Sequence, residues 1–128
     1  MAHLLDLPIY FRYDVVQMPA TQSLGEFEQV VLLAILRLDD GAYGVSIRSE
    51  IAACTGRDPS PGALYTTLDR LEAKGLVTSR TGDPTPQRGG RAKRYYTVTR
   101  DGLAAVTRAQ LSYQRLLTGL KLPGGAHA

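Results

Sequence analysis

With 128 residues, 44% of them hydrophobic and 21% charged, the chain suits one compact domain plus an appendage. Its lone cysteine, Cys54, excludes an internal disulfide framework and a cysteine-rich zinc site, in accord with a reducing cytoplasm, and the longest apolar run, residues 30–36, is far too short to span a membrane. The formal charge of +3 is unevenly spread: residues 56–100 hold nine basic against four acidic side chains, which suggests a polyanionic partner, although a solvated charged face explains many such segments.

Residues 1–22 lack the basic head and small-residue cleavage site of a signal peptide, with His3 and Asp6 where Lys or Arg would be wanted. Their Ile9-Tyr10-Phe11 cluster could pack as an extra strand or short helix, or be disordered, and Met18 is an alternative start. The motif S-L-G-E then places Glu26 three residues after the Ser23 hydroxyl, the spacing of a reciprocal helix cap. The helix that follows carries a wide apolar face of Phe27, Val30, Val31, Ala34, Ile35 and Leu38, and V-V-L-L-A-I-L predicts burial on most sides. D-D-G supplies the turn.

A second helix is predicted from Tyr43 or Gly44 to Thr55, with Ile47, Ile51 and Cys54 inward and Gly56 as left-handed cap. Ser60 as N-cap, Pro61 at the first helical position and Gly75 past Lys74 mark a third. Leu64, Leu68 and Leu71 form its inward stripe, leaving Gly62, Ala63, Thr66, Thr67, Arg70 and Lys74 facing out. No carboxylate precedes Asp69 on that helix, so another surface can approach its first two turns closely.

Strands are predicted over 76–80 and 94–98, joined by a long loop rich in Pro and Gly. In that loop Arg88, Arg91 and Lys93, with Arg94 at the second strand, can neutralise phosphates, and Gly89-Gly90 removes side chains where backbone must lie close to another surface. Thr99 caps a last helix reaching about Leu120, before K-L-P-G-G. Along it Leu103, Val106, Gln110, Tyr113, Leu117 and Leu120 alternate spacings of three and four, which reads as a dimer seam or as a helix packed on its own domain. Residues 123–128 form a tail.

Helix, helix, helix, strand, loop, strand, helix is the order of a winged helix-turn-helix: mainly α with a two-stranded β-hairpin, spanning 23–99, plus a C-terminal dimerisation helix over 100–122. In such a domain the third helix enters the major groove and the wing reaches adjacent backbone. Cys54 reads as a buried small hydrophobe, and His3 and His127 sit too far apart in the chain to suggest a metal pair. No nucleophile, base and orienting group come together in the pattern, so neither an enzyme nor a cofactor is expected.

The segments L-G-E-F-E-Q-V-V-L-L-A-I-L, D-G-A-Y-G-V-S-I-R, G-A-L-Y-T-T-L-D-R-L-E-A-K-G-L-V and G-G-R-A-K-R-Y-Y-T-V-T-R-D-G resemble the PadR-like family of bacterial transcriptional regulators. The resemblance implies a winged-helix homodimer that binds double-stranded DNA, usually represses its promoter and dimerises through the C-terminal helix. By position, Tyr43 and Tyr65 match the family's aromatic sites near the DNA-facing surface. Ser60, Gly62, Ala63, Thr66 and Thr67 match the start of its recognition helix, and Arg88 to Arg94 its wing. Such proteins often bind small aromatic or drug-like effectors near the dimer interface, but Trp is absent here and no stacking residue stands out. The competing reading is a winged-helix module whose basic face binds an acidic protein.

Overall fold

A computed structural model describes residues 24–82 and 92–123. Helices α1 (Glu26–Leu38), α2 (Gly44–Thr55) and α3 (Pro61–Ala73) are followed by strands β1 (Val77–Thr81) and β2 (Arg94–Val98) and by helix α4 (Arg100–Leu117). The mainly helical architecture with one antiparallel hairpin matches the expected fold class. Pairing runs from Val77 opposite Val98 to Thr81 opposite Arg94, so Tyr96 faces the core while its neighbour Tyr95 points to the other side.

The core is built from one stripe of each element. Val31, Leu32 and Ile35 of α1, Ile47 and Ile51 of α2, and Leu64, Leu68 and Leu71 of α3 are buried together with Leu76, Val77 and Tyr96 of the hairpin region and Val106 of α4. Helix α1 is less enclosed than its apolar run predicts, since Leu33 and Leu36 are exposed. Cys54 corrects its expectation as well. Ile47 and Ile51 occupy the inward face of α2, which leaves Cys54 exposed with its thiol 3.5 Å from Glu50 Oε2.

Local hydrogen bonding sets the helix ends. Ser23 is outside the described residues, and α1 is capped at Gly25, whose N–H donates to Glu28 Oε1 at 2.8 Å; Glu26 instead pairs with Arg57 at 2.8 Å. Gly56 takes the left-handed cap of α2 at φ 74°, and the Ser60 hydroxyl accepts from the Ala63 N–H at 3.1 Å, both as the sequence predicts. At the root of α4 the Thr99 hydroxyl accepts from the Gly102 N–H and donates to the Gly75 carbonyl, tying helix to hairpin. That helix ends at Leu117, short of Leu120, because Gly119 adopts φ 84° and the chain turns there before the proline is reached.

The seam expected along α4 is split. Val106 is part of the core, Leu103 packs against it, and Gln110 Nε2 reaches Gln29 Oε1 at 3.4 Å, so this half packs on its own domain. Tyr113, Leu117 and Leu120 are exposed, joined by Leu116 (74% exposed) and Leu122.

Candidate nucleic-acid interface

Helix α3 is seated by three fully buried leucines, which turn its opposite side to solvent. Ser60, Gly62, Ala63, Tyr65, Thr66 and Arg70 are all on the exposed side. The first turn carries no acid. Arg70 makes no ion pair among the described residues, although Asp69 and Glu72 are close in sequence. Thr67 departs from expectation: it is only 5% exposed, and its hydroxyl donates to the Ala63 carbonyl at 2.9 Å. Its position, three residues after Leu64 and one before Leu68, rotates it onto the edge of the inward stripe, which removes it from the accessible face.

The start of α3 is also braced by a residue the sequence reading overlooked. Arg48 of α2 donates from Nε to the Pro59 carbonyl at 2.9 Å and approaches Asp58 at 3.4 Å, fixing the connection into the N-cap. At the other end of α3, Lys74 bridges to α1. Its ammonium lies 2.8 Å from Glu28 Oε2, so the side chain expected to face out is tied into the fold. Burial pushes the Glu28 carboxyl pKa up, but the Lys74 ammonium and the Gly25 N–H outweigh burial and hold it below the ordinary 4.5.

Helices and hairpin meet at Tyr43-Gly44. The Tyr65 ring of α3 lies across Gly44: a Cβ there would sit 2.0 Å from the Tyr65 hydroxyl oxygen, so glycine is required for this approach. Tyr65 is nevertheless 45% exposed, packed at one edge and open at the other. Tyr43 pairs with Tyr95 through an isolated antiparallel bridge, and their rings meet edge to face at 5.6 Å. Lys93 Nζ lies 4.3 Å from the Tyr43 ring centre, and the Arg80 guanidinium lies 4.8 Å from that of Tyr95. Arg94 donates to Ser79 Oγ at 3.0 Å and stands 3.6 Å from Glu72, which links the hairpin to α3. Arg88, Gly89, Gly90 and Arg91 lie outside the described residues, while the backbone pairing continues past the strands to a bond from the Gly82 N–H to the Lys93 carbonyl.

The exposed side of α3 and the cationic stem of the hairpin therefore flank one junction, the first residues of α2. Arg80 and Arg48 are the contributors that periodicity alone had not singled out. Arg80 could have been found from its register opposite Tyr95, whereas Arg48 gives no sequence signal, because its partner is a backbone carbonyl. Among the described residues, no group of His, Cys, Asp or Glu is arranged to hold a metal, and no helix is long and apolar enough to cross a membrane.

A family model described as the transcriptional regulator PadR-like family matches residues 32–108. The chain belongs to that family. Transcriptional regulator Rv3488 of Mycobacterium tuberculosis is 39% identical to this PadR-like protein over 80 residues, covering 61% of this chain and 68% of that protein. Among solved structures, a PadR-like transcription factor from Bacteroides fragilis has a TM-score of 0.59 at 22% identity over 70% of this chain and 82% of that chain. A PadR family transcriptional regulator from Eggerthella lenta has a TM-score of 0.56 at 26% identity, over 73% and 81% of the two chains. The protein is thus a winged-helix transcriptional regulator of a DNA-binding family.

Proposed function

We propose that this PadR-like protein binds specific double-stranded DNA sites as a homodimer and represses the promoters that carry them, acting in the cytoplasm. The observation that carries this reading is the junction at Tyr43-Gly44, where the carboxylate-free start of α3 and the cationic hairpin stem stand on either side of the same two residues. A duplex fits such a face: the small and hydroxyl-bearing residues Ser60, Gly62, Ala63 and Thr66 allow close approach to base edges, and the hairpin cations meet phosphate. Tyr65 and Arg70 border that approach. Thr67 takes no part, because its hydroxyl is buried.

Dimerisation is assigned to the exposed end of the last helix, Tyr113, Leu116 and Leu117, with Leu120 and Leu122 beyond it. An apolar strip of this kind is stabilised by a second copy. Leu103, Val106 and Gln110 belong to the domain beneath. Two recognition helices in such a dimer address half-sites one helical turn apart, about 34 Å.

Salt dependence tests the reading. Four wing cations per protomer on phosphate would give a slope of log K against log salt of about −7. With Arg94 engaged by Glu72 and Ser79, six cations per dimer remain and a slope of about −5 is expected. The measurement is a gel-shift titration on the DNA upstream of the protein's own coding sequence. Arg91→Ala should weaken binding to all sequences alike, and Thr66→Ala should reorder the preferred sites. Salt-insensitive binding, or retention on an acidic protein with none on DNA, would end the proposal.

A further inference from the structure

We propose that Tyr43 is a positioning residue for the hairpin and does not itself grip phosphate. This inference rests on the DNA-binding reading above. Its basis is a continuous stack in which Arg80 covers Tyr95, Tyr95 meets Tyr43 edge to face, and Lys93 covers Tyr43. The two tyrosines are also joined by the backbone bridge between them, and the Tyr96 N–H donates to the Ala42 carbonyl at 2.8 Å, one residue before Tyr43.

Three features make the stack a directing device. First, neither Tyr43 nor Tyr95 belongs to the buried core cluster, so the rings do not serve to seal the domain. Second, Tyr43 precedes Gly44, the residue on which Tyr65 of α3 rests, so one dipeptide receives the recognition helix on one residue and the hairpin on the other. Third, the contacts fall at Arg80, Lys93 and Tyr95, near the Gly82–Lys93 backbone pair at the far end of the stem. Holding the stem at that point fixes the orientation of the hairpin stem relative to α3. The Lys93 ammonium remains exposed while its charge is placed over the ring face, which orients it without neutralising it.

The test separates a ring from a hydroxyl. Tyr43→Phe keeps the π face and should match wild type in affinity, salt slope and order of preferred sites. Tyr43→Leu removes the face and should lower the magnitude of the salt slope by about 2, one cation per protomer of a dimer, while leaving the order of preferred sites intact. A readout without DNA accompanies it: in the free protein the Lys93 ε-methylene protons should show an upfield ring-current shift by NMR, retained in Tyr43→Phe and lost in Tyr43→Leu. Should Tyr43→Leu fold poorly, Tyr95→Leu removes the neighbouring ring and should likewise lower the slope without reordering sites.

Equal loss of affinity in Tyr43→Phe and Tyr43→Leu would identify a hydroxyl contact to DNA and overturn the positioning role. So would an unchanged slope and unchanged Lys93 resonances in Tyr43→Leu. A wild-type protein without salt-dependent DNA binding would overturn both readings, whereas a normal wild-type slope with a silent Tyr43→Leu overturns only this one.

Discussion

Helix α3 and the hairpin flank the same junction, but they are held by different forces. Three leucines with no solvent exposure seat α3, and its far end is tied by the Lys74–Glu28 pair to α1. The hairpin's outer side is held by a surface stack of rings and cations and by the exposed Arg94–Glu72 pair. Packing energy scales with apolar area removed from water, whereas exposed ion and ring pairs contribute little each. The α3 arm is therefore seated by packing, whereas the hairpin, anchored inside by Val77 and Tyr96, is oriented on its outer side by contacts that are individually weak. That division suits the proposed binding mode, in which α3 approaches base edges and the hairpin cations meet phosphate.

The sharpest way to break the comparison is through the seat of α3. Leu68→Ala should destabilise the domain by about 2–5 kcal/mol, measured by urea denaturation, and abolish DNA binding through unfolding. Next comes the bridge. Lys74→Met leaves the Glu28 carboxylate buried without its cation and should cost about 1–3 kcal/mol at neutral pH. Because the folded pKa of Glu28 is depressed, wild type should hold this contribution above about pH 4.5 and lose it as acid protonates the carboxyl. In Lys74→Met, burial acts without the ammonium, and the acid loss should shrink or reverse, which thermal melts across pH 3–7, roughly, would check.

Smaller still is the hairpin pair: Arg94→Ala should change stability by less than about 1 kcal/mol and leave the core intact. A multi-kilocalorie loss there would show that the two arms are not anchored as differently as their contacts indicate. The smallest expected effect on the fold is at the free end of α4. On the proposed dimer, Leu116→Ser should leave the folded domain's near-UV spectrum unchanged while moving sedimentation toward monomer, since the side chain is 74% exposed.

Much of this architecture was legible because each signal was local. Ser60-Pro61 opening α3, Gly56 ending α2 and the Tyr-rich second strand are dictated by backbone geometry within a few residues, and all three stand where they were expected. The misreadings share a cause. The cap of α1 falls at Gly25, and the acid that closes it, Glu28, also faces Lys74 across the fold, a partner that local spacing does not reveal. Thr67 and Cys54 sit at the borders of helical stripes, where a rotation of tens of degrees decides burial and spacing alone does not choose. Arg48 was invisible, since a backbone carbonyl leaves no mark in a side-chain pattern.

The amino-acid order by itself determined the succession of helices and strands, the leucine stripe that turns the other side of α3 outward, and the crowding of cations in residues 56–100, because capping, periodicity and charge act over a few neighbouring residues. Only the tertiary structure decided which cations are spent on Glu72 and Glu28, which half of α4 belongs to the core, and that Tyr43-Gly44 is where helix and hairpin converge. Those outcomes depend on surfaces brought together from distant parts of the chain, where sub-ångström fit and competition for burial select one partner among several that the sequence permits.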